Sequence, residues 1–257
     1  MAGEDNERTF SIGRIFSIAF GVMAHNPLVA FGVTLLLSAL PGTLLTFGLA
    51  QMNFDMRDNN TFWGVIGSGL IGFMLSLVLR ALVQGCLVRA TIAESEGRKA
   101  SLGECLGVAA ARALPLIAVS ILFVIGMGVG LLLLIVPGIM FAIACAVVAP
   151  VVVEERVGVI EAFGRASVLT RGARWKIFGL ALLVLILVWL LQAFAGMIAA
   201  TMFRGGSDPF STAMILFNIV TGTIAATFWS TVQTAMYVEL RNWKDGHPAN
   251  RLNEIFE

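Results

Sequence analysis

The chain has 257 residues, 58% of them hydrophobic and only 13% charged, with a net charge of +1 and a mean hydropathy of +0.90. A soluble domain carries roughly 25% charged residues, so this composition excludes one and points to a single integral membrane domain. The near-neutral charge gives no signal for nucleic acid, and three cysteines, Cys86, Cys105 and Cys145, read as small buried hydrophobes rather than a disulfide framework.

After a polar tail, MAGEDNER, residues 10–24 carry apolar side chains at Ile12, Ile15, Phe16, Ala19, Phe20 and Met23. That spacing is one helical face, and the segment is too short and polar to span, so it is expected to lie in the membrane interface. Asn26-Pro27 ends it. The first span is expected over Leu28 to Ala50, followed by the loop NFDMRDNN. The second starts near Phe62 and stays helical to about Glu94, with Gly64, Ser68 and Gly72 as a small-residue stripe. Arg80 lies near its far end, where a long side chain can snorkel.

A second amphipathic segment begins at Ser101, with Leu102, Cys105, Leu106, Ala109, Ala110 and Ala113 on one face. Pro115 opens the third span, which contains the GxxxG of Gly126 and Gly130 and ends near Ile135. The triplet Val136-Pro137-Gly138 then predicts a tight hairpin into a short fourth span, Gly138 to Val153, kinked by Pro150. Glu154-Glu155-Arg156 leaves the membrane, and a third amphipathic segment runs from Gly158 to Arg171. There Glu161 and Arg165 are an i,i+4 pair and Gly172 a C-cap. The fifth span is expected over Ile177 to Met202. The loop FRGGSDPF separates it from a polar sixth span, Ser211 to Val238.

The segments SIGRIF, SLGECL and GVIEAF each begin an amphipathic stretch that precedes two spans. The expected fold is therefore all-α, with six transmembrane helices as three hairpins, each preceded by an interfacial helix. The units are a tail (1–9), repeats at 10–100, 101–156 and 157–238, and a C-terminal tail (239–257). Fourteen Lys and Arg residues fall on the side of the termini and amphipathic segments, and two, Arg57 and Arg204, fall on the other. The positive-inside rule then places both termini in the cytoplasm.

No ligand-spaced histidines, nucleophile motif or phosphate loop appears, so neither catalysis, a metal nor a cofactor is expected. Three groups of side chains stand out as candidates. Arg165, Arg171, Arg174 and Lys176 lie where anionic headgroups sit, and arginine grips phosphate with paired hydrogen bonds. Arg80 with Glu154 or Glu155 is a candidate structural ion pair. Gln84, Gln192, Asn218 and Gln233 are candidates to line an interior.

The run from Pro137 to Trp175 contains Pro137-Gly138, Glu154-Glu155, EAFGRAS and Thr170-Arg171-Gly172. It resembles the signature of the glycerophosphoryl diester phosphodiesterase membrane-domain family and of related bacterial multi-span proteins of unassigned function. The resemblance implies a lipid context without a catalytic domain. The expectation is thus a non-enzymatic protein of the bacterial inner membrane. It binds or organises lipids, or scaffolds a lipid-handling partner, and its expected partners are membrane lipids and a membrane protein or further copies of itself. The alternative is a transporter or channel for a small solute or lipid.

Overall fold

The computed structural model describes residues 10–43, 59–202 and 212–245, and every regular element among them is helical. Five of these helices are long and apolar enough to cross a bilayer, and a sixth span is counted if the bent pair at the N-terminus forms one. The chain is an all-α, multi-span membrane protein. The first span's end (44–50), the loop at 53–58, the loop FRGGSDPF and both terminal tails lie outside the described residues.

Helix α1 (Ile12–His25) buries Ile15, Ala19 and Val22 along one face; Ile15 and Ala19 belong to the expected apolar set, whereas Phe20 of that set is 56% exposed and Val22 is buried instead. At Asn26 the chain turns, and the helix that follows, Pro27–Thr43, leaves at 88°. Pro27 sits in the first turn, where its missing N–H costs nothing. That second helix, α2, is α-helical over Pro27–Thr34 and then π-helical over Leu35–Ala39. Pro41 explains the change of winding, because it cannot donate to the carbonyl of Leu37.

Helix α3 (Asn59–Ser95) ends within a residue of the expected position. Helix α4 (Leu102–Leu133) corrects the expectation of a separate second interfacial helix. It starts at Ser101, whose hydroxyl accepts the Glu104 N–H at 3.2 Å, and runs through Pro115 without a break. Proline there removes one bond, to Ala111, while the buried stripe Cys105, Ala109, Leu116, Val119 continues on both sides of it. The two helices cross closely at Gly85, where a Cβ would lie 2.9 Å from the Ala109 Cα.

The reversal after α4 falls at Leu134, which is extended (φ −170°, ψ 151°), three residues before the expected Pro137. Glycines bring the hairpin arms together. A Cβ on Gly130 would lie 2.8 Å from the Gly138 Cα, and one on Gly126 would strike the Phe141 ring. The return arm is two helices, α5 (Ile135–Ala144) and α6 (Val148–Glu154), with a break at residues 145–147.

Helix α7 (Val159–Thr170) is a separate short element. Gly172, at φ +94°, turns the chain into α8 (Arg174–Met202). Only a narrow stripe of α8 is buried, at Ile177, Leu180, Val184, Ala195 and Ala199. Helix α9 (Thr212–Asp245) outruns the expected end at Val238 by seven residues. It touches α1, α2, α3, α6, α7 and α8 and is the axis of the bundle.

Gly85→Val should force α3 and α4 apart at a backbone contact, at a cost of about 1–3 kcal/mol. Gly72→Val, with nothing within 4 Å of its Cβ position, should be silent. Thermal unfolding of both variants in the same detergent checks this.

Candidate functional site

The α9 face toward the core is lined by Thr221, Thr223, Thr227, Ser230, Thr231 and Thr234, all buried. Most satisfy themselves by donating to a carbonyl one turn back, as Thr231 does to Thr227 at 2.8 Å. Thr227 instead reaches α2, donating to the Thr34 hydroxyl at 3.0 Å.

One turn further along lies a connected set that spans three elements. Gln84 of α3 donates to the Gln233 Oε1 at 2.7 Å, and Ser230 donates to the Gln84 Oε1 at 3.0 Å. The Gln233 Nε2 donates to the Ala146 carbonyl at 2.6 Å. That carbonyl is left open because its helical partner would be residue 150, a proline. A second carbonyl at the break, Ala144, accepts from the Thr170 hydroxyl at 3.2 Å. Of the four candidate lining residues, the structure therefore joins Gln84 and Gln233. Gln192 on α8 and Asn218, about four turns before Gln233 on α9, are exposed and apart from this set.

The ends of the helices near α1 hold a network of ion pairs. Glu239, only 2% exposed, takes the Ser11 N–H at 3.2 Å and Arg14 at 3.4 Å. A carboxylate at a helix N-terminus is stabilised by the dipole as well as by these bonds. At the other end of α1, the His25 Nδ1 lies 2.6 Å from Glu94 of α3. Glu104 takes Arg89 at 2.6 Å.

The expected pair of Arg80 with Glu154 or Glu155 is not formed. Glu154 meets Arg241 at 3.4 Å. Glu155 binds Arg165 at 2.9 Å and accepts from the Tyr237 hydroxyl at 3.2 Å. Arg80 is exposed on α3, with no carboxylate partner among the described residues. The reason is direction rather than reach: α3 packs on α6 as α9 and α7 do, but Arg80 is turned outward and exposed.

Arg165 also departs from its expected role. It pairs with Asp245 as well as Glu155, so its guanidinium is committed within the protein rather than open to a headgroup. Burial alone would lower its pKa, and the bonds to the two carboxylates outweigh that and raise it. Glu161, its expected i,i+4 partner, accepts the Gly158 N–H at 3.2 Å instead and caps its own helix.

Arg171, Arg174 and Lys176 remain exposed and form no ion pair with a described residue. They flank Trp175, which is 87% exposed. Helix α7 buries Ala162, Ala166 and Leu169. Its other side presents Ile160 and Val168, 81% and 53% exposed. Val168, an indole and three unpaired cations thus fall within residues 168–176 at the α7–α8 junction, while Ile160 stands at the other end of α7.

Sequence reading missed Glu239, Arg241 and Asp245, placed in a polar tail. The signal was there: Val232, Ala235, Met236 and Leu240 continue the helical spacing beyond Val238. With the geometry set out, comparison adds no relative: no family model, curated protein or solved structure matches the chain.

Gln233→Leu should leave the Ala146 carbonyl and Gln84 without their partner at a cost of about 1–3 kcal/mol. Gln192→Leu should cost nothing measurable. Unfolding midpoints of the two variants, compared under identical conditions, decide this.

Proposed function

We propose that the chain is a non-enzymatic, lipid-associated protein of the bacterial cytoplasmic membrane, with both termini cytoplasmic. On this reading the α7–α8 junction rests against anionic headgroups. The observation that carries the reading is an imbalance of pairing. Each described carboxylate has a partner: Glu94, Glu96, Glu104, Glu154, Glu155, Glu239 and Asp245 take basic side chains, and Glu161 takes a backbone N–H. Arg171, Arg174 and Lys176 have none, so the surplus charge at the junction is positive. Each basic residue near an anionic surface contributes roughly 1 kcal/mol of attraction. Trp175 has the amphipathic ring favoured at the headgroup level. Ile160 and Val168 supply the apolar side of an interfacial helix.

The alternative, a transporter or channel, draws on the broken fourth span, since interrupted helices form ion and substrate sites in transporters. Here the break is closed by Gln233 and Thr170, and the joined glutamines bind each other rather than facing a path. That favours the lipid reading.

Arg171→Ala with Arg174→Ala should lower retention of anionic lipid, read by native mass spectrometry, while insertion and folding stay intact. Equal retention would remove the reading's main support. Orientation is checked separately: cysteines placed at Asn59 and Ser207 should label from outside intact cells, and one at Lys99 should not.

A further inference from the structure

Arg80 is one of the cations on spanning helices, with Arg112, Arg174 and Lys176, that meet no anion among the described residues. It is exposed, and the carboxylates expected to meet it are held by Arg241 and Arg165. Gln84, one turn along the same face, is turned to α9 by its bonds with Ser230 and Gln233. A long basic side chain near the end of a span reaches the headgroup level, where an anionic group can compensate it.

Helix geometry says what lies beside it. Gly85 faces α4, and five residues of helix turn Arg80 about 140° from that contact. The same count puts Ser76, Phe73 and Gly69 within about 40° of Arg80. This strip is open: Phe73 is 49% exposed, and nothing lies within 4 Å of a Cβ at Gly69. From Arg80 to Gly69 is about 16 Å of rise, close to the depth of one leaflet, about 15 Å. The strip begins at a guanidinium and continues as an uncharged surface one acyl layer deep. A guanidinium fits phosphate through two parallel hydrogen bonds.

We propose that Arg80 binds the phosphate of a phospholipid in the leaflet on the α1 side, with an acyl chain laid along Ser76, Phe73 and Gly69. The site deepens the lipid reading above but stands on a different helix from the α7–α8 junction, so either can fail alone.

The test titrates the purified full chain with phosphatidylglycerol and reads individual binding steps by native mass spectrometry. The tightest step should weaken about tenfold in Arg80→Ala and in Arg80→Gln, and less in Arg80→Lys. Arg171→Ala with Arg174→Ala should leave that step in place. Dioleoylglycerol, which lacks the phosphate, should show no dependence on Arg80, and millimolar inorganic phosphate should not displace the lipid. Equal affinity in the wild type and Arg80→Ala would overturn the proposal. So would loss of the step in the Arg171/Arg174 double variant, which would move the site to the α7–α8 junction. Displacement by inorganic phosphate, or equal Arg80 dependence with dioleoylglycerol, would also reject a phospholipid phosphate as the ligand. Elution and melting profiles matching the wild type establish that each variant is folded, and the two neutral replacements guard against a defect peculiar to one.

Discussion

The structure depends on a single shortage of hydrogen-bond donors. Hydrocarbon offers nothing to an open carbonyl, so a chain that breaks a helix within a span must supply the missing donor itself. Pro150 creates that shortage at Ala146, and Gln233 meets it. Because Gln233 also accepts from Gln84, one side chain fixes α9 against both the broken span and α3. The rest of the α9 core face follows from this placement, from Thr227 against α2 to Glu239 beneath the start of α1. Among the described residues, no buried side-chain nitrogen or oxygen is left unpartnered. The polar α9 is therefore a structural spine, and its many hydroxyls are not by themselves a sign of a permeation path.

A second constraint operates at the α1 side. Two acidic residues, from α9 and α3, hold α1 at its two ends, through Arg14 and Ser11 at one and His25 at the other. The 88° bend at Asn26 is thus held on one side by these bonds to α1 and on the other by the bond from Thr227 to Thr34 of α2. The same economy of pairing runs through α6, α7 and α9, where Glu154, Glu155, Arg165, Arg241 and Asp245 consume one another. The cations outside these pairs, among them those at the α7–α8 junction and Arg80, are the groups available to a surface or a ligand.

Much of the fold is legible in the sequence because membrane thickness and helical spacing are both written in it. The apolar face of α1, the end of α3 near Glu94, the N-cap at Ser101 and the turn at Gly172 each depend on neighbours within a few residues. Pairings between helices are not legible in the same way. Arg80 and Glu154 are at plausible depths, yet a salt bridge also requires the right azimuth, and Arg241 and Arg165 have it. Glu161 shows a local conflict: at the third position of α7 its carboxylate caps the helix, and that use competes with the i,i+4 pair. Pro115 does not end its helix, since a helix packed along one stripe tolerates the loss of one bond. Glu239 reads in the sequence as the end of a span, although the apolar spacing continues past it to Leu240.

Helix α8 carries a different kind of consequence. Among the described side chains, its long surface is tied to the bundle along one stripe, Ile177, Leu180, Val184, Val188, Ala195 and Ala199. The remainder, including Trp189 and Phe194, looks outward. Most of α8 is therefore specified by its solvent rather than by its neighbours. Over generations, that stretch can exchange leucine for valine or phenylalanine almost without limit while α9 stands still. Two descendants of this chain would come to differ most along the helix that contributes least to the core, and a comparison weighted by overall similarity would underestimate how closely their cores agree.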